Sequence, residues 1–465
     1  MTSLDKIERG PIVATHFAAG AGHRLALELT ETLKLAVPLA LTQLGQIAMM
    51  TTDLAFIGRL GDGAVAAAAL AHTIFFVSFT VGMGLMSAVS PLAAQAFGAR
   101  NPHRVRRSLR VGLWAAFLIS VPVMALPFRG EQILLAMGQS PAAARLAQQY
   151  LFGLVWSILP ALWFMAIRGF MSAINRPEPI LWITLAAIPA NALLVYLLLY
   201  GEWGLPRLEL FGAGLATSMV NSAMFLAGLW FAARRRPFRK YHVLGHIWRI
   251  DWPLMRQLVI LGAPISISFL LEYGLFGAAG LLMGLISTTA LAAHQIALQI
   301  AAILFMVPFG IGMAATVRVG HAVGRRDGAA VRRAGFIATG LGIGFMSGMT
   351  LVVILGRFAI AQVFLGAGAG AAAELTATLL LVGATFFIAD GIQTIASGSL
   401  RGMNDTRIPL LFATISYWLI GFTLACGLGF WTPLGAVGVW IGLSCGTVVY
   451  ATLLLLRFRL LASRL

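Results

Sequence analysis

Apolar residues run in twelve long blocks along the chain, separated by short polar stretches. The blocks lie at roughly 34–57, 65–97, 111–128, 147–174, 180–200, 211–233, 257–284, 289–319, 334–356, 375–400, 409–430 and 435–456. Each is near or above the roughly 20 residues that carry a helix across a bilayer. In lipid a backbone must satisfy its own N–H and C=O groups, and a segment of this length does so as a helix. The pattern predicts an all-α polytopic membrane protein with twelve transmembrane helices. Leu25 to Leu35 reads as a short amphipathic helix leading into the first span.

The blocks form two sets of six. Pro38 and Pro264 lie 226 positions apart, and the same spacing pairs Gly84 with Gly310 and Gly98 with Gly324. It also pairs Val105-Arg106-Arg107 with Val331-Arg332-Arg333. One such pair can arise by chance, but a constant spacing over about seventy residues is hard to obtain that way. The arginine-rich loop falls on the same side in both sets, so the repeats have the same orientation. Such repeats are common in secondary transporters, whose sites lie between the halves and whose motion rocks one half against the other. The expected layout is two pseudo-symmetric six-helix bundles, a first lobe at 34–233 and a second at 257–456. A cytoplasmic segment 1–33 precedes them, a linker 234–256 joins them, and a tail 457–465 follows. Pro38 lies fifteen residues, about four turns, before Asp53 on the first span, and is the candidate hinge.

Composition agrees with a chain built throughout for lipid. It is 59% hydrophobic and 11% charged, against roughly 25% charged in soluble domains. The net charge of +17 is placed as topology requires. Arginines cluster at 100–110, 234–256, 325–333, 401–407 and 457–464, while the opposite face carries only Arg59, Arg129, Arg145, Arg207 and Arg357. That asymmetry puts both termini in the cytoplasm and argues against nucleic acid as the partner. Cys426 and Cys445 lack CxxC spacing, so neither a disulfide framework nor a thiolate metal site is expected. Met1 to His23 has no apolar core of the kind a cleaved signal peptide carries. None of Lys6, Lys34 and Lys240 follows a glycine, which excludes a P-loop.

Three carboxylates lie deep in the apolar blocks: Asp53 in the first half, Glu272 and Asp390 in the second. A charge at the bilayer centre costs about 2.5–3.5 kcal/mol on insertion scales, so such residues are rare and usually functional. None has an Arg or Lys within a helical turn on its own span. A carboxylate so placed can take up a proton, because low dielectric disfavours the charged form. It can also bind Na⁺, for which carboxylate, hydroxyl and carbonyl oxygens are suitable hard ligands. Either state can change with the side the site faces, which is how an ion gradient drives transport. His294 has no companion at metal-ligand spacing and is read as a packing residue.

TDLAFIGRLG ending the first span, LAAHQIAL opening the eighth, GIGMAATVRVGHAVG closing it, and SGSLRGMNDTRIPL between the tenth and eleventh resemble the NorM-type branch of the MATE (multidrug and toxic compound extrusion) family. The resemblance extends over about 34–456. It implies a 6+6 antiporter that exports lipophilic, often cationic compounds in exchange for Na⁺ or H⁺. It implies that Glu272 and Asp390 form a second-lobe cation site, with Na⁺ as its possible metal, and that Asp53 is the acid of a first-lobe cavity. Asn191 is implied to face that acid, with Gln46 and Thr217 as further polar positions. Two departures, Ala187 and Phe386, stand where the family often has a polar residue and a tyrosine, and they remove oxygen ligands. Tyr273, Phe386, Phe387 and Met306 are the candidates for lining the substrate chamber, since π faces and polarizable sulfur hold cations. The expected partners are small lipophilic or cationic molecules and membrane lipid. No cofactor beyond the coupling ion, no catalytic group and no nucleic acid is expected. The unit is a monomer in a bacterial-type inner membrane.

The rival reading is a flippase or exporter of lipid or lipid-linked precursors with related architecture. A phosphate headgroup calls for several cations in the chamber, and within the spans these are mainly Arg168 and Arg318. A major-facilitator protein is disfavoured because GARNPHRVRRSLR lacks the loop motif usual between its second and third spans.

Overall fold

The computed structural model describes residues 12–465, with side chains from Gly20 onward. The readings made for residues 1–11 lie outside the described residues. Among the described residues, twelve helices are long and apolar enough to span a membrane. They are α1 (Ile12–Gly58), α2 (Asp62–Gly98), α3 (Pro102–Phe128), α4 (Pro141–Ala173), α5 (Glu178–Tyr200), α6 (Glu209–Arg234), α7 (Trp252–Ile286), α8 (Thr288–Gly324), α9 (Gly328–Leu365), α10 (Ala371–Gly402), α11 (Arg407–Phe430) and α12 (Ala436–Ala462). The stretch Leu25 to Leu35 is not a separate helix but the continuous N-terminal extension of α1.

Local chemistry sets the helix starts. Asn101, Ser140, Asp251, Ser287 and Asp327 each accept a hydrogen bond from the backbone N–H three residues on. These are N-caps, and proline follows within two residues of the first three, where its missing N–H is harmless. The caps Asn101 and Asp327 lie 226 positions apart, and before each stands an arginine in the left-handed region, Arg100 (φ 55°) and Arg326 (φ 58°). The sequence repeat is thus a repeat of backbone geometry. Within α1, Pro38 lacks the N–H that would bond the Lys34 carbonyl, and Thr42 donates to the Pro38 carbonyl at 2.8 Å.

One large buried cluster draws on α2–α6 and on Leu254, Met255, Leu258 and Leu261 of α7. A second draws on the far half of α7 and on α8–α12. Between them lies a seam of small residues from both halves, including Ala36, Ala93, Ala94, Ala314 and Ala315. Here α1 packs on α8 and α2 on α7.

The repeated glycines are the points of closest approach across this seam. A Cβ at Gly84 would overlap the backbone of Ser266, and one at Gly310 would overlap that of Ala40. A Cβ at Gly98 would strike the carbonyl oxygen of His321, and one at Gly324 that of Gln95. In both pairs of contacts the two partners also differ by 226 positions, so each pair is one contact seen twice about an approximate two-fold axis.

Polar contacts seal the same end. Gln95 donates to the Gly402 carbonyl and accepts from Asn404, each at 2.8 Å. His321 Nε2 donates to the Ala173 carbonyl at 2.6 Å. Arg318 grips Glu28 of the α1 extension with two bonds of 2.8 and 3.0 Å. The segment between the halves is tied to α3, through Arg107 to Asp251 and through Trp114 Nε1 to the Ile247 carbonyl at 2.6 Å. All of these contacts lie toward the end of the bundle that carries the arginine-rich loops.

Candidate functional site

The first bundle encloses a chamber of about 210 Å³ against α8. Asp53 reaches it from the last two turns of α1 and is 7% exposed. Asn191 Nδ2 of α5 donates to one Asp53 oxygen at 2.5 Å, and the Thr217 hydroxyl of α6 lies 3.2 Å from the other. That hydroxyl is also 3.2 Å from the Ala213 carbonyl. With one proton and two lone pairs, it can donate to an ionised Asp53, or turn to Ala213 and accept from a protonated one. The site thus accommodates both charge states without moving a helix. Gln46 lines the same chamber. Asp53, Asn191, Thr217 and Gln46 thus meet at one chamber.

In the second bundle Glu272 of α7 and Asp390 of α10 meet through one side chain. Gln393 Nε2 lies 2.9 Å from Asp390 Oδ1 and 3.3 Å from Glu272 Oε1. An amide nitrogen has two protons, so one group bridges two acids that would otherwise repel. Thr394 donates to the Asp390 carbonyl at 2.7 Å, and the Tyr417 hydroxyl lies 3.4 Å from Glu272 Oε1. The polar residues Asp390, Gln393, Thr394, Ser397 and Arg401 follow helical spacing and make one face of α10. Gln393, Thr394, Ser397, Arg401, Tyr417 and Glu272 line a small cavity with Phe269, Phe305, Phe309 and Met313. Tyr417 stands in a π-helical stretch, Thr414–Phe422, a geometry frequent at functional sites. It brings a hydroxyl to the acid pair from α11, where Phe386 on α10 brings none.

The expected aromatic lining needs correction. Phe386 and Phe387 are each 1% exposed. They lie one turn before Asp390, where Phe386 packs on Trp440 and Phe276 at centroid distances of 5.4 and 5.9 Å. Tyr273 lies against Phe76 at 4.8 Å, and neither it nor Met306 lines these cavities. The face of α8 on the Glu272 cavity is Phe305, Phe309 and Met313, at i, i+4 and i+8. Met306 is turned from it by about 100° at 3.6 residues per turn. Phe309 borders both cavities, and Phe75, Phe79, Phe164 and Met165 complete the first chamber. His294 is a packing residue as read, buried with Nδ1 accepting from Trp440 Nε1 at 3.1 Å.

The cations also need correction. Arg318 is taken by Glu28, whereas Arg401, which reads as a loop residue in sequence, lies on the last turn of α10 and faces the cavity. The position 226 before Glu272 is Gln46, and the position 226 after Asp53 is Ala279. The two sites are therefore not copies of each other, although the scaffolds are.

The MatE family model matches the chain twice, at residues 38–197 and 264–426. The chain belongs to the MatE family. The two matched blocks begin at Pro38 and Pro264, the first pair of the internal repeat. A "Probable multidrug resistance protein NorM" of Bradyrhizobium diazoefficiens is 65% identical over 470 residues, covering 100% of both chains. One of the same description from Rhodopseudomonas palustris is 62% identical over 93% of this chain and 91% of its own. Among solved structures, the eukaryotic MATE transporter AtDTX14 superposes with a TM-score of 0.85 at 21% identity, over 95% of this chain and 98% of that one. At that identity the likeness speaks for the MATE fold.

Within this MatE-family fold, Tyr417→Phe is expected to slow drug efflux about three- to tenfold, the effect of losing one hydrogen bond at an acid site. Initial efflux rates over a range of imposed ion gradients check this. An unchanged ion dependence would remove α11 from the site.

Proposed function

We propose that the protein is a secondary antiporter of a bacterial inner membrane that exports lipophilic and cationic compounds in exchange for Na⁺ or H⁺ by alternating access. The observation that carries this reading is the pair Glu272 and Asp390, joined by Gln393 beside a cavity and, among the described residues, with no arginine within 4.0 Å of either. Loading a proton or Na⁺ there cancels charge that would otherwise attract a cationic compound, so ion and substrate compete. For Na⁺, the carboxylates with the Gln393 carbonyl, Thr394 and Tyr417 would be the oxygen donors once the amide turned over. The names of the bacterial relatives, multidrug resistance proteins, support drug export.

In this reading the arginine-rich end is cytoplasmic. The glycine-mediated seam then closes the cytoplasmic side, and the described state faces outward. Rocking of 34–233 against 257–456 about the seam opens the other side, with linker 234–256 as the tether, 457–465 as the tail and a monomer as the unit. Pro38 lies two residues before Ala40, which contacts Gly310. A bend of α1 there changes both the seam and the approach to Asp53.

The test is transport by the purified protein in liposomes, with an ethidium-type dye and with Na⁺ and pH gradients imposed independently. Dye movement that follows one of the gradients is the expected result. Dye movement indifferent to both would overturn antiport.

A further inference from the structure

An open groove of about 630 Å³ lies at the arginine-rich end of the first lobe, away from the central cavities. Arg176 and Glu178 line it from the turn between α4 and α5, and Arg236 from just past the end of α6. Local chemistry sets these positions. Asn175, in the left-handed region at φ 62°, ends α4, and the Arg176 N–H returns to the Met171 carbonyl at 2.9 Å. Arg176 and Glu178 then alternate with Pro177 and Pro179, whose rings lock the backbone. On the other side Phe238, buried against Phe170 of α4 with ring centres 6.2 Å apart, gives the groove an apolar wall with Pro179 and Pro237.

Opposite charges that share a hollow can neutralise each other by pairing. Here, among the described residues, no acid comes within 4.0 Å of either arginine and no base within 4.0 Å of Glu178. The field at a helix start accounts for an acid in the first turn of α5. It does not account for that acid sharing a groove with two guanidinium groups that leave it free. A ligand that completes this set carries an anion and a cation of its own.

The groove also has a definite depth. Glu178 lies four residues, about 6 Å along the helix, before Trp182, which is 66% exposed. On α6 Trp230 is 50% exposed, with the Arg235 guanidinium 5.4 Å from its ring centre. Exposed tryptophans on membrane spans stand at the level of the lipid headgroups, so the groove opens into that layer.

We propose that this groove binds a phospholipid whose headgroup is an ethanolamine phosphodiester. The two arginine forks take the phosphate oxygens, Glu178 takes the ammonium group, and Pro179, Pro237 and Phe238 bear on the glycerol end. A lipid so held ties the first residues of the linker to the α4–α5 turn. It is no substrate, and its site stands apart from the antiport reading.

The probe is phosphatidylethanolamine with a fluorophore on one acyl chain, titrated by fluorescence polarisation against the full-length protein in uncharged detergent. Unlabelled phosphatidylethanolamine, phosphatidylcholine, phosphatidylglycerol and O-phosphoethanolamine then compete with it. In wild type the ethanolamine lipid competes best. Its lead over phosphatidylglycerol falls about three- to fivefold in Glu178→Gln, the size of one exposed charge pair. Arg176→Gln and Arg236→Gln each weaken all three lipids by a similar factor. Glu178→Arg reverses the order in favour of phosphatidylglycerol, which a misfolded variant cannot do. If phosphatidylglycerol or phosphatidylcholine matches the ethanolamine lipid in wild type, or if the lead is unchanged in both Glu178 variants, the ethanolamine assignment is overturned. Binding untouched by both arginine variants overturns the groove as the site. O-phosphoethanolamine that competes as well as the lipid makes a soluble phosphate the occupant, and overturns the lipid.

Discussion

Glu272→Gln and Asp390→Asn are each expected to lower drug export roughly 100-fold, near the upper end of what coupling between two sites delivers, with membrane insertion retained. The substitutions keep volume and hydrogen-bonding capacity. Gln393 still finds an oxygen on either side, so the local packing of α7 against α10 is retained. What disappears is a group that exists both charged and neutral. Insertion is not endangered, because a neutral amide is easier to place in lipid than an acid. The two acids share one bridging amide 2.9 and 3.3 Å away, so they act as a unit and their losses do not add. The double variant is expected to be little worse than either single one. Efflux of a cationic dye from cells, normalised to the protein present in the membrane, measures this. Rates near wild type in either single variant would remove the pair from ion coupling.

The second large effect concerns the seam. Gly98→Ala and Gly324→Ala each put a methyl group against a backbone carbonyl, of His321 and Gln95 respectively. A carbonyl inside a helix cannot rotate away as a flexible side chain can, so the helices must part. Overpacking of this kind costs about 1–3 kcal/mol, and all of it falls on the state in which α2 and α8 touch. A cost borne by one state shifts the population to the other. Spin labels at the exposed positions His103 and Ala329, placed symmetrically at the starts of α3 and α9, are expected to gain a longer-distance population in both variants. Export falls with it, because a seam that no longer closes leaks the cycle. An unchanged distance distribution in both would show that this contact does not govern closure.

The helices, the repeat and the isolated acids were legible because each is written along one dimension. A block of 20 apolar residues spans whatever its neighbours are, and a lone carboxylate in it stands out. The angle at which a helix presents its faces is not written that way. In a soluble protein the polar face marks the outside; here lipid and core are both apolar, so Phe386, Phe387 and Met306 looked as suitable for the chamber as Phe305 and Phe309. Polar spacing supplies the missing angle only where it exists. The series Asp390, Gln393, Thr394, Ser397 and Arg401 marks one face of α10, and was readable up to the point where Arg401 passed for a loop residue. Tyr417 carried no such mark, since its orientation depends on the π-helical stretch around it. The spacing of 226 disclosed a duplication, but not that its glycines touch each other's repeats.

That duplicated seam joins two halves whose chemistry has parted: where one carries Glu272 the other has Gln46, and where one carries Asp53 the other has Ala279. A common ancestor with identical halves would have met itself across the axis at the same glycines. The mechanical pairing is symmetric while the acids are not: Asp53 and Glu272 stand at unmatched positions of the equivalent helices α1 and α7, and Asp390 is on α10. The machine is therefore a matched pair of jaws with unmatched teeth, and neither half on its own is a smaller version of the whole.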